Sequence, residues 1–256
     1  MFDTAVYYNN LNLTSLPGIK IVNYNVKDLP NRQLNNSKLA RANKSLLTSA
    51  EYVDKTVTIS GFVGGANWIE QQDNYDNLKG RIQEIEGIIR VQQGSKVVEY
   101  VGTLNGTSLE WGGPNLGFTL QFLCSNPIGS DFTTSPLFPP QTITTATLLK
   151  SIVVEGTFIA EPRYTITVNS VAGGTNKTIT LLNGQTGKGI KITRNWVAGD
   201  IITIASDSME VIANTTNEDF SGQFPTFLPG NRSLQYIDDF SSRNITLTAT
   251  YNRKYS

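Results

Sequence analysis

The residues with the best claim to chemistry run from Gly184 to Gly189, Gly-Gln-Thr-Gly-Lys-Gly. A glycine-rich turn ending in Gly-Lys can cradle a phosphate with backbone amides and an ammonium group. The nucleotide-binding form of that loop needs its first glycine five residues before the Gly-Lys pair, and position 182 is Leu. It also needs Ser or Thr after the lysine to hold magnesium, and position 189 is Gly; no helix follows to aim its amides at a phosphate. The run therefore predicts a hairpin turn. Carboxylates cluster at Glu84/Glu86, Glu218/Asp219 and Asp238/Asp239. A glycosidase needs two carboxyls facing each other across about 5–9 Å, whereas neighbours on a strand point to opposite faces. No Asp-x-Asp-x-Asp-Gly calcium loop is present.

The chain has no histidine, which removes Ser–His and Cys–His nucleophiles and every imidazole metal site. Its one cysteine, Cys124, makes no internal disulfide and sits in the apolar run Leu-Gln-Phe-Leu-Cys, where it reads as a small buried hydrophobe. No catalytic residue, cofactor or metal is expected. Trp111 and Trp196 are candidates to stack on a sugar, with core or interface packing as the competing reading; Trp68 heads a helix and reads as core.

The elements around these residues are mostly strands. The 256 residues are 39% apolar and carry 21 basic against 21 acidic side chains. That allows a sizeable core and gives no electrostatic reason to seek nucleic acid. Neither a signal peptide nor a membrane span is read, so folding in a cytoplasm is expected. Strands are predicted at 20–25, 57–62 and across Phe118, Leu120, Phe122 and Cys124. Between them, Asn67 and Glu70 form a capping-box pattern, and Tyr75, Leu78, Ile82 and Ile85 form one apolar stripe. This predicts a helix near 69–86, stopped by Gly87 as a left-handed cap. A hairpin then turns at Gln93-Gly94-Ser95. The polar, locally basic stretch 27–44 reads as an extended loop or as an arm onto a neighbouring subunit.

Residues 133–149, with Pro136, Pro139 and Pro140, read as a Pro/Thr-rich linker. Beyond it, short strands are predicted at 152–158, 164–168, 178–182, 189–193, 201–205, 209–213, 233–236 and 245–251. This spacing is that of a β-sandwich. The expected domains are thus 1–132, with the helix, and 150–256.

Taken in order, several segments resemble the distal tail protein family of long-tailed phages with non-contractile tails. They are Lys-Leu-Ala-Arg-Ala-Asn-Lys-Ser from Lys38, leading to the strand that ends at Gly61, and the helix–hairpin ending Glu-Tyr-Val-Gly-Thr-Leu at Leu104. Gly-Asp-Ile-Ile-Thr-Ile-Ala-Ser-Asp from Gly199 and Phe-Pro-Thr-Phe-Leu-Pro-Gly-Asn from Phe224 complete the set, with Phe-Leu-Cys-Ser-Asn-Pro from Phe122 before the linker. The resemblance implies a mainly β fold, an N-terminal β-sandwich with one α-helix and a C-terminal galectin-like β-sandwich. It implies a structural, non-enzymatic hexameric ring at the end of the tail tube, located in the virion at the tail tip. The implied partners are the tail tube protein, the tail-tip hub or tail-associated protein, the tape measure protein and receptor-binding proteins. The loop 27–44 and the region 102–117 are the expected contact surfaces, with Lys38, Arg41, Lys44 and Trp111 as interface candidates. The alternative is a carbohydrate-binding β-sandwich module for host-surface adsorption, using Trp111 or Trp196.

Overall fold

A computed structural model of the chain describes residues 4–25, 32–38, 45–83, 86–94, 96–112 and 115–255. It divides into two compact units between Phe132 and Thr133. The protein is mainly β, with one α-helix.

The first unit contains β1 (Thr4–Tyr8), β2 (Leu11–Asn12), a short 3-10 turn at Leu13–Ser15, β3 (Ile19–Tyr24), β4 (Arg32–Lys38), β5 (Ser45–Tyr52), β6 (Lys55–Val63), α1 (Trp68–Arg81), β7 (Gly87–Gln93), β8 (Lys96–Gly112), β9 (Asn115–Cys124) and β10 (Gly129–Asp131). Its main strands run antiparallel in the order β2-β1-β7-β8-β9-β6-β3. The long strand β8 serves two half-sheets. Its first part pairs with β7, Gln93 opposite Lys96 through Gly87 opposite Gly102. Its second part pairs with β9, with a register shift between Leu104 and Gly106 that marks the change. The halves face each other across one core: the ring of Tyr8, from the first, stacks on Phe122, from the second, at 5.6 Å. Alternation sets this up. Val57, Ile59 and Val63 on β6, and Phe118, Leu120, Phe122 and Cys124 on β9, are all buried.

Helix α1 closes this core with Tyr75, Leu78 and Ile82. Its start follows the predicted box: Glu70 N–H donates to Asn67 Oδ1 at 3.0 Å, and the Glu70 carboxylate accepts from Ala66 N–H at 2.6 Å. The stop differs from expectation. The helix ends at Arg81, with Ile82 as C-cap, rather than near 86. Gly80 in the last turn, where a Cβ would meet nothing within 4 Å, weakens it, while Ile82 turns into the core with no exposure. Ile85 lies outside the described residues. Gly87 is not a cap either. It is the first residue of β7, and a Cβ there would meet the Tyr8 ring at 2.2 Å. Trp68, expected in the core, is 64% exposed, because burial along α1 begins only at Gln71.

The stretch 27–44 is also more ordered than a loop in its described part. Strand β4 pairs with β5, Arg32 opposite Tyr52 through Lys38 opposite Ser45, as a two-stranded ribbon separate from the other sheets.

The second unit contains β11 (Ser135–Ile143), β12 (Thr147–Val154), β13 (Arg163–Ala172), β14 (Lys177–Asn183), β15 (Gly189–Arg194), β16 (Ile201–Ala205), β17 (Glu210–Ala213), β18 (Thr216–Asn217), β19 (Ser221–Gly222), β20 (Gly230–Asp238), β21 (Ser242–Tyr251) and β22 (Lys254–Tyr255). One antiparallel sheet runs β11-β21-β13-β16-β17-β18 and the other β12-β20-β14-β15-β19. Their inner faces share one core, from Ile166, Ile204 and Leu247 on the first to Leu181, Ile192 and Tyr236 on the second. This is the β-sandwich expected from the strand spacing. The expected linker 133–149 is corrected: it is largely strand, since β11 pairs with β21 and buries Leu137, Phe138 and Ile143. Its prolines are tolerated because β11 is an edge strand. The register shifts between Pro136 and Phe138, and between Phe138 and Gln141, absorb them.

Candidate functional site

Strand alternation that buries one side of β6 and β9 presents the other side outward. Thr56, Thr58, Ser60 and Phe62 alternate with the core residues of β6, and Thr119, Gln121 and Leu123 with those of β9. The register places Thr58 opposite Gln121, Ser60 opposite Thr119 and Thr56 opposite Leu123. Lys20 on β3 and Gly117 on β9 both stand opposite Phe62. The result is a hydroxyl-rich sheet face with no described element of this unit laid over it, carrying Val22 (59% exposed), Phe62 (41%) and Leu123 (38%). A groove of about 270 Å³ crosses it between Val22, Phe62, Glu110 and Gly117. On the other half-sheet, exposed Ile88 pairs with Val101. Next to it the Arg90 guanidinium bonds Glu99 at 2.7 Å and lies 3.7 Å over the ring of Phe132. Such surfaces suit protein contact rather than catalysis.

The residues singled out for chemistry fall as follows. The run 184–189 is a hairpin turn, as predicted: Asn183 and Lys188 pair at its base, and β14 joins β15 with Leu182 opposite Gly189. Glu218 faces Arg194 at 3.3 Å. Asp238 and Asp239 point apart. Asp238 is buried against Arg243, with N–H···O distances of 2.9 Å, while Asp239 accepts from Thr178 N–H at 2.7 Å. Glu84 lies outside the described residues. Among the described residues, no three His, Cys, Asp or Glu side chains are placed to share a metal ion. Cys124 is fully buried, and burial pushes its thiol up to about 11. Burial likewise raises the neighbouring Tyr100 hydroxyl, which accepts from Lys55 Nζ at 3.2 Å, to about 12. Both stay protonated at neutral pH, so the thiol is packing, not a nucleophile.

Trp196 is corrected as a sugar platform. It is 3% exposed, its Nε1–H donates to Lys177 O at 2.8 Å, and its ring meets Phe240 edge-on at 5.9 Å. With its faces covered it has nothing to stack on a ligand. Trp111 stands on β8 opposite Leu116 and Lys38 closes β4 opposite Ser45, but their side chains lie outside the described residues, as do Arg41 and Lys44 entirely. The open face of β6 and β9 was missed. Its signal is the row Thr56, Thr58, Ser60 and Phe62, the alternate positions of the strand predicted at 57–62 and its leading edge.

Residues 144–255 match the family model described as siphovirus-type tail component, C-terminal domain. The match spans nearly all of the second unit, hence the tail-component domain. This agrees with the resemblance to distal tail proteins. No curated protein matches the chain. Among solved structures, the crystal structure of the SPP1 phage Dit (gp 19.1) protein is similar over 99% of this chain and 100% of that one, at 14% identity and a TM-score of 0.70. At that identity the likeness speaks for the fold. It covers the tail-component domain and the first unit alike. Chains of the phage P2 baseplate in its activated conformation are more distant. The calcium form has 10% identity and a TM-score of 0.43 over 99% of this chain and 98% of that one. The strontium form has 9% and 0.42 over the same shares. Neither score is high enough to bear on the tail-component domain.

Proposed function

We propose that the protein is the distal tail protein of a non-contractile phage tail. Six copies form a ring at the end of the tail tube, join the tube to the tail-tip hub and offer docking for receptor-binding proteins. The observation that carries this reading is the tail-component match over 144–255. The whole-chain likeness to the SPP1 Dit fold supports it, that protein being described as a paradigm of the hub adsorption apparatus in phages infecting Gram-positive hosts. The tail-component family is structural, and we take this protein to be non-enzymatic. Its partners are the tail tube, tape measure, tail-tip hub and receptor-binding proteins. It is made and assembled in the host cytoplasm and ends in the virion.

Physical chemistry supports a ring subunit. A two-stranded ribbon such as β4–β5 is marginal alone in water, so it gains most by lying on a neighbour. A contact between different patches of identical subunits closes into a ring when the rotation allows. We assign the stretch 27–44, with Lys38, Arg41 and Lys44, and the region 102–117, with Trp111, to the subunit contacts. Native mass spectrometry of the purified protein, with negative-stain images of the same sample, tests this. A six-membered ring with a central opening is expected, lost when Lys38, Arg41 and Lys44 are changed together to Glu while the monomer stays folded. A ring that survives those changes would remove the interface assignment. A strict monomer at high concentration would count against the ring itself.

A further inference from the structure

In the tail-component domain most basic side chains face a carboxylate. Arg163, Lys177, Arg194, Arg243, Arg253 and Lys254 all do so. Lys150, Lys188, Lys191 and Arg232 have no carboxylate partner among the described residues, and of these Lys188 and Arg232 line the same cavity of about 230 Å³. Asn183, Gln185, Thr186 and Thr226 supply the rest of its polar wall, and no Asp or Glu lines it. Ile159 and Leu228 supply an apolar side.

The walls are held before any ligand arrives. Asn183, 4% exposed, accepts from the N–H groups of Gln185 at 2.9 Å and Thr186 at 3.2 Å and donates to Thr226 O at 2.7 Å. It thereby ties the 183–188 turn to the opposite wall. Gly184 presses on Ser233, where a Cβ would meet Oγ at 2.4 Å. The Arg232 guanidinium donates to the carbonyls of Leu228, Pro229 and Asn231, at 2.9, 2.6 and 3.1 Å. That fixes its plane and leaves two of its five N–H groups for a ligand. The cavity thus offers two cations, spare amide and hydroxyl donors and an apolar flank, with no anion of its own.

We propose that this cavity binds an oxyanion carried on a small polyol, a sugar phosphate or glycerol phosphate unit. The charged oxygens sit between Lys188 and Arg232, the hydroxyls face Gln185, Thr186 and Thr226, and the carbon edge lies on Leu228 and Ile159. This is not nucleotide binding, because the turn lacks the glycine spacing and the following helix. Nor does it depend on ring assembly, since every residue belongs to one copy.

The test is a titration of the isotope-labelled full chain at low salt with glycerol 3-phosphate, inorganic phosphate and galactose, followed by amide chemical shifts. Glycerol 3-phosphate is expected to shift signals saturably at 183–188 and 226–232. Lys188→Gln, an exposed change that breaks no side-chain hydrogen bond or ion pair among the described residues, should weaken binding by about tenfold or more, as loss of a charge-assisted bond does. Thr186→Val should weaken glycerol 3-phosphate more than phosphate. No saturable shift with either anion, unchanged binding in Lys188→Gln, or galactose binding as tightly would each overturn the proposal. Equal affinity for phosphate and glycerol 3-phosphate would overturn its polyol half.

Discussion

Replacing Arg243 by Met should destabilise the tail-component domain strongly, because it breaks a buried ion pair from one side. Arg243 is the second residue of β21 and Asp238 closes β20, so the pair ties together the two sheets where the chain crosses between them. The Asp238 side chain is fully buried and that of Arg243 is 9% exposed. One carboxylate oxygen accepts from Arg243 Nε at 2.9 Å and from Phe240 N–H at 3.0 Å; the other lies close to the buried Tyr236 hydroxyl, whose proton the carboxylate helps to hold. The guanidinium also donates to Phe240 O. Removing it leaves a buried carboxylate with one backbone donor and the Tyr236 hydroxyl but no cation. Breaking such a pair from one side is worth about 3–5 kcal/mol, or about 12–20 °C in Tm for a unit of this size. Asp238→Asn added to Arg243→Met removes the charge while an amide oxygen can still accept from Phe240 N–H, so the double variant should recover most of the loss. Differential scanning calorimetry of the domain's transition reads both. A shift below about 1 kcal/mol in the single variant, or a double variant as unstable as the single, would refute the reasoning.

Four further outcomes follow from the first unit. Asn67→Ala removes the acceptor for Glu70 N–H and should destabilise it by about 1 kcal/mol, measured in urea. Gly87→Ala drives a methyl into the Tyr8 ring beside Phe122 and should cost about 1–3 kcal/mol, with near-ultraviolet circular dichroism reporting the displaced ring. Cys124 and Tyr100 have folded pKa values raised from 9.0 to about 11 and from 10.0 to about 12. The unfolded chain therefore releases their protons first. Their contribution is fully present below pH 9.0 and is lost as pH rises to about 12, which urea melts at successive pH values will show. A thiol reagent at pH 8 should modify Cys124 only after unfolding.

Much of this architecture was legible because alternation and helical spacing are local. Val57, Ile59, Phe118, Leu120 and Phe122 announce their strands, Asn67 and Glu70 announce the helix start, and Asn183-Gly184 announces its turn. The failures occurred where a distant partner decides. The prolines of 133–149 suggest a linker until β21 is there to receive an edge strand with two register shifts. Gly87 looks like a cap unless the Tyr8 ring is known to lie on it. Trp196 looks available until Phe240 and Lys177 O cover it. The cavity at Lys188 was hidden for the same reason. Residues 183–188 and 226–232 are far apart in sequence and meet only because β14 pairs with β20.

The most direct test of the central claim is to place the protein in the particle. Gold-labelled antibody against the purified chain, applied to intact virions and viewed by electron microscopy, should mark one end of the tail, where the tube meets the tip. Label spread along the tube, or confined to the capsid, would contradict the assignment as a distal tail ring.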